Sequence, residues 1–127
     1  MEPYVAELEN LAIANTSFRR VLFTTRHAQL VVMSLAPGED IGSEKQLQVD
    51  QFFRIEQGAA RFVFGPGDER RVAAGGAVVV PAGQQHNVVN ASDSEPLKLY
   101  TLYAPPNHPP ATVHTTKADA IAAEASH

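Results

Sequence analysis

The chain contains no cysteine. Disulfides, thiolate metal sites and thiol nucleophiles are excluded, and the redox compartment stays open. No apolar run approaches the length of a membrane-spanning helix. There is no excess of basic residues either: the net charge is -4 at pH 7, which argues against nucleic acid as a partner. The opening MEPYVAELEN is acidic where a secretory signal is basic and then apolar, so the expectation is a cytoplasmic protein without a membrane partner. In that setting the sequons Asn15-Thr16-Ser17 and Asn90-Ala91-Ser92 read as chance matches. Also missing are a G-x-S-x-G elbow and a phosphate-cradling glycine loop, since GPGDE is a hairpin turn with no helix behind it. There is no internal repeat and no domain linker.

What is present points to one domain. The length of 127 residues, with 44% apolar and 19% charged, suits a single hydrophobic core. Short runs rich in β-branched and aromatic residues recur: VLFTT, QLVVMSL, QFFRIE, ARFVF, RRVA, AVVV, HNVV and LKLYTLYA. Turn clusters separate them, among them Pro37-Gly38, Gly65-Pro66-Gly67-Asp68, Gly75-Gly76 and Pro81-Ala82-Gly83. Many close strands without intervening helices predict an all-β fold, a sandwich or small antiparallel barrel. Residues 1–17 are expected to form an arm or short helix and 18–104 the barrel. Residues 105–127 are expected to form a proline-rich tail, irregular over PPNHPPATVH, and then a helix capped by Thr116 and Asp119.

Alternation assigns the faces. Gln51, Phe53 and Ile55 share the expected interior face, so Gln51 is a polar group that needs a buried partner. His86, Val88 and Asn90 share a face in the same way. Gln29 and Met33 are candidates to line the interior. Of Tyr100 and Tyr103, on opposite faces, at most one can enter it. The outer faces of Phe52, Val78, Val80, Tyr100 and Leu102 are expected to form an apolar surface that pairs two copies into a homodimer. His27, His108 and His114 read as surface residues. The arginines at 19, 20, 54, 61, 70 and 71 form no cluster on the expected interior, which counts against a sugar-phosphate substrate.

The most specific signal lies in two spaced patterns. From Gly75 the chain runs five residues to Pro81, one to Gly83, two to His86 and three to Asn90. Upstream, Gly38 and Gly58 frame Glu44, Gln46 and Gln51. The first pattern resembles the second conserved motif of the cupin superfamily at every defining position. The upstream frame matches the spacing of the first cupin motif, whose ligand positions fall on Glu44, Gln46 and Gln51 in place of the usual His, His and Glu. The resemblance covers about residues 18 to 104 and implies a cupin jelly-roll barrel with short terminal helices. The tail resembles that of small single-domain bacterial cupins, some labelled mannose-6-phosphate isomerase-like, a label that rests on fold.

The resemblance implies that Glu44, Gln46, Gln51 and His86 surround a divalent metal in the barrel. With one imidazole, one carboxylate and two carboxamides, the donor types favour Mn or Fe over Zn, Ni or Cu. The implied function is to bind or act on a small organic molecule. If catalytic, it would be a metal-dependent isomerase, lyase or dioxygenase acting on an oxygenated substrate, with Glu44, if unligated, as the base. A second reading stays open: a non-catalytic, metal-free cupin in which the same residues form a hydrogen-bonded cluster.

Overall fold

The computed structural model describes residues 1–125. Each β-branched or aromatic run becomes a strand, bounded by the turn clusters. In chain order these are β1 (Arg19–Thr24), β2 (Gln29–Leu35), β3 (Glu44–Lys45), β4 (Asp50–Gln57), β5 (Ala59–Gly65), β6 (Asp68–Ala73), β7 (Ala77–Val80), β8 (Gln85–Asn90), β9 (Leu97–Ala104) and β10 (Val113–His114). Helix α1 (Leu8–Ala14) precedes them and α2 (Lys117–Ala125) follows. A six-stranded sheet has the order β10-β1-β2-β9-β4-β7, and a four-stranded sheet has the order β3-β8-β5-β6. Every pairing is antiparallel. No helix among the described residues is long and apolar enough to cross a membrane.

Directly paired residues share a face, so the register divides the interior into rows. One row is Met33–Leu99–Ile55, and beyond it lies the pair Leu35–Leu97. In the other direction come Val31–Thr101–Phe53–Val78 and then Gln29–Tyr103–Gln51–Val80. The small sheet adds Ala60, Phe62 and Val88 to the same core. The interior therefore grades from apolar at one end to polar at the other.

Two glycine positions have structural causes. Gly58 joins β4 to β5 with φ +86°, and a Cβ there would sit 2.8 Å from the Pro96 carbonyl oxygen, so no larger residue fits. Gly83 (φ +88°) turns the chain so that its N–H donates to the Gln46 carbonyl at 2.7 Å. That bond ties the two framed sequence patterns together.

The β4–β7 register corrects one expectation. Val78 and Val80 face inward with Phe53 and Gln51, and Val80 is buried. Val79 faces out, opposite Phe52. An all-valine run carries no internal cue to its own phase, so only the partner strand decides it. The outer row is Leu30–Leu102–Phe52–Val79. Helix α1 packs over the adjoining part of this sheet, against β2, β4 and β9.

The tail is more ordered than its prolines suggest. Val113 and His114, expected to be irregular, pair with Arg20 and Arg19 as β10. Gln29 holds the preceding segment: its Oε1 accepts from the N–H groups of Asn107 (3.1 Å) and His108 (2.9 Å), and its Nε2 donates to the His108 carbonyl (2.7 Å). Thr116 and Asp119 form the reciprocal cap of α2, with the Asp119 N–H donating to Thr116 Oγ1 at 3.1 Å and the Thr116 N–H to Asp119 Oδ2 at 3.3 Å. Lys117, at the start of α2, pairs with Asp40.

Candidate functional site

The residue pattern along β8 places His86 inward between Gln85 and Asn87. Its ring is 4% exposed and meets Phe53 edge-on, with ring centres 5.8 Å apart. His86 Nδ1 lies 3.2 Å from the Gln84 carbonyl oxygen. A carbonyl can only accept, so Nδ1 carries the proton, and in the neutral tautomer this leaves Nε2 as the nitrogen with the lone pair.

The loop before β4 is zipped onto β8. The Ile41 N–H donates to the Val88 carbonyl, the Gly42 N–H to Asn87 Oδ1 at 3.0 Å, and Gln85 Nε2 to Ser43 Oγ at 2.9 Å. This brings Glu44 directly opposite His86 in the β3–β8 pairing. Gln46 follows the two-residue β3 and donates from Nε2 to Glu44 Oε2 at 2.9 Å. Both side chains are half-buried.

Gln51 approaches from the large sheet. It lies on the Phe53 face of β4, is 3% exposed, and donates from Nε2 to Thr101 Oγ1 at 2.9 Å. Its Oε1 is buried with no hydrogen-bond partner among the described residues. Register and ring contact thus direct Glu44, Gln46, Gln51 and His86 to one end of the barrel. Asn90, the last residue of the second framed pattern, does structural work instead. Its Nδ2 contacts the Leu35, Ala36 and Glu95 carbonyl oxygens at 3.2, 3.1 and 2.9 Å, which closes the opposite end.

In its neutral form His86 offers the Nε2 lone pair, Gln51 Oε1 has no partner among the described residues, Glu44 supplies a carboxylate, and Gln46 adds an amide oxygen. This chemistry suits an ion that accepts oxygen donors, such as Mn or Fe. No group of three or more His, Cys, Asp or Glu that could hold a metal occurs among the described residues. Only Glu44 and His86 of the set are of those types, so a metal here would depend on amide oxygens.

The structure adds further residues at this end, beginning with the one of the two β9 tyrosines that enters the interior. Tyr103 pairs with Gln51 across β9–β4 and is buried. Burial first, with the Glu44 charge adding to it, pushes its hydroxyl up to about 12 against the opposing influence of Arg19 and Gln51, so it remains a neutral phenol. Its oxygen lies 3.3 Å from His108 Nε2, and the two rings meet edge-on. His108 was expected at the surface but is half-buried. Burial, then Arg19 and His114, pushes its pKa down to about 4. His114 is also half-buried and is lowered by burial and by Arg19.

Arg19 is the largest correction: it is 2% exposed and faces inward with Met33 and His114. The signal was the alternation of Arg19 with Val21, visible once the strand is begun at Arg19. A charged first residue reads as a strand boundary, so the strand was started two residues late.

Two cavities open here. One, of about 310 Å³, is lined by Glu44, Gln46, Asn107 and His108 among others. The second, of about 350 Å³, is lined by Arg19, His108, Thr112, His114 and Glu124 among others. Asn107, His108 and Glu124 border both.

Residues 31–103 match the family model described as "Cupin domain". The chain is 49% identical over 128 residues to the uncharacterized protein YrkC of Bacillus subtilis strain 168, covering 97% of this chain and 68% of that protein. It is 40% identical over 112 residues to the uncharacterized protein L612 of Acanthamoeba polyphaga mimivirus, covering 87% of this chain and 70% of that protein. Among solved structures, BH2720 from Bacillus halodurans superposes with a TM-score of 0.91 at 43% identity, covering 95% of each chain.

Proposed function

The chain belongs to the cupin family, and from that premise we propose that it binds a small oxygenated organic molecule at the polar end of its barrel, at a weak divalent-metal site made by Glu44, Gln46, Gln51 and His86. The supporting observation is a pair of uncommitted donors. Gln51 Oε1 is buried without a partner, and His86 is oriented by the Gln84 carbonyl so that Nε2 is available. A metal-ligating histidine commonly donates its other ring N–H to a backbone carbonyl in this way.

A bound divalent ion supplies Lewis-acid polarisation of a carbonyl or enol oxygen. The chain's own residues do the rest. Tyr103, kept neutral, offers a hydroxyl proton to a substrate oxygen. Glu44, if it does not ligate the ion, is the base of this reading and takes a proton, the step shared by isomerase and lyase chemistry. The Phe53 edge against His86 keeps the inner wall apolar.

Calorimetric titration of chelator-stripped protein tests this. Mn or Fe(II) is expected to bind, and Gln46→His with Gln51→Glu should tighten Zn and Ni binding at least tenfold, about 1.4 kcal/mol. His86→Ala should weaken binding in both backgrounds. No metal binding by the parent, together with no gain in the double variant, would favour the metal-free cluster, held by the Gln46–Glu44 and Gln51–Thr101 hydrogen bonds.

The outer row Leu30–Leu102–Phe52–Val79 supports a second proposal, a homodimer through this sheet face. Val79 is 67% exposed and Leu102 37%. A specific interface buries roughly 1,200–2,000 Å² in total. Light scattering at micromolar concentration should report twice the chain mass of 13.7 kDa; a monomer there would refute it.

A further inference from the structure

We infer that Arg19 anchors the carboxylate of a small organic acid in the cavity bounded by β1, the 107–114 segment and α2. A guanidinium does not lose its proton in a protein, so burying it without a counter-charge is unfavourable. Arg19 is 2% exposed. Among the described residues it makes no ion pair, although Arg54, Arg61, Arg70 and Lys117 each do. Its Nε–H is buried with no acceptor among the described residues.

Its neighbours orient it without neutralising it. Arg19 Nη1 lies 3.2 Å from His114 Nδ1, which must then be the acceptor, so His114 is neutral in this arrangement. The guanidinium carbon sits 5.4 Å from the Phe18 ring centre, which supports the charge from one side. His108, on the shared wall, is held neutral by burial first and by Arg19 and His114 next. Glu124 lines the cavity from an exposed position on α2 and forms no ion pair with Arg19.

Charge and shape select the ligand class. One fixed positive charge flanked by two neutral imidazoles matches a single negative charge, and the acidic Glu124 disfavours a dianion such as phosphate. The uncommitted Nε side of a planar guanidinium suits two coplanar oxygens, as in a carboxylate. The cavity volume, about 350 Å³, suits a molecule of a few carbons. Because His108 and Asn107 also border the Glu44–Gln46 cavity, the rest of such an acid would extend toward Glu44 and Tyr103. That extension rests on the barrel reading above; the Arg19 anchor does not.

The test is titration of the whole chain with acetate and with pyruvate in excess EDTA, followed by calorimetry and by the arginine Nε–H resonances in NMR. Saturable binding is expected, with the Arg19 Nε–H signal moving downfield. Acetamide should not move it, inorganic phosphate should bind at least tenfold more weakly, and Arg19→Lys, which keeps charge but loses the fork, should weaken acetate binding at least tenfold. If Arg19→Lys does not fold, the resonances of the unaltered protein decide alone. Absence of binding, an unmoved Arg19 signal at saturation, equal binding of acetamide, tighter binding of phosphate, or full affinity in a folded Arg19→Lys would each overturn the assignment. Metal binding without carboxylate binding sinks this inference alone; carboxylate binding in EDTA by a protein that takes up no metal sinks only the metal reading.

Discussion

In the row Met33–Leu99–Ile55 and the pair Leu35–Leu97, side chains are satisfied by contact alone. In the row Gln29–Tyr103–Gln51, further along the same strands, each polar atom must find a partner. Both regions are buried and share strand geometry, yet they behave differently under substitution. Apolar contacts are non-directional, so the first region tolerates any set of similar shapes. The second is directional and loses an identifiable bond with each change. The proposed metal site draws on the second, where Gln51 Oε1 is buried without a partner among the described residues.

Truncation sharpens that contrast most. Leu99 is fully buried in the apolar region, and Leu99→Ala should cost about 2–5 kcal/mol in urea denaturation. The same substitution should leave the metal and carboxylate affinities of the folded fraction unchanged. A loss of affinity in step with stability would show that the two ends are not separable.

The next effect lies at the polar end. Gln29→Leu removes the acceptor for the Asn107 and His108 N–H groups. It should cost about 1–3 kcal/mol, the range for leaving buried polar groups unpaired. Hydrogen exchange at Asn107 and His108 should accelerate while β2, β4 and β9 remain protected. Uniform acceleration across the barrel would mean that the tail is integral to the fold and no separate cover.

The third effect is a pH dependence. His108 titrates near 6.5 when unfolded and near 4 when folded, where it faces Arg19, His114 and Tyr103. Between those values the unfolded chain binds more protons, so stability must rise with pH through this window and be fully present above about 6.5. Thermal melts of His108→Gln against the parent at pH 5 and pH 7 should show a shallower pH slope for the variant. An identical slope would place the titration elsewhere.

How much of this was legible beforehand follows from the kind of signal each residue carries. The strands QLVVMSL, AVVV and LKLYTLYA coincide with β2, β7 and β9, because β-branched and aromatic runs between turn residues are local signals. The resemblance of the two framed patterns to the cupin motifs named Glu44, Gln46, Gln51 and His86 as candidates for one site, and the capping pair Thr116–Asp119 was evident from its residue types. The two-residue strand β10 was missed, since it exists only because β1 offers it an edge.

The amino-acid sequence by itself determined the family, the strand order along the chain, and which strand face carries Gln51 and His86, because these depend on period and spacing over a few residues. Only the tertiary structure decided which face of AVVV turns inward, since that phase is set by β4 across the sheet. The same holds for Arg19, His108 and Tyr103. They are 84 to 89 residues apart for the first two pairings with Arg19, and only the folding of the tail over the barrel brings them together. Whether a buried charge or imidazole is costly or useful depends on such distant neighbours, and those contacts form only when the sheets close.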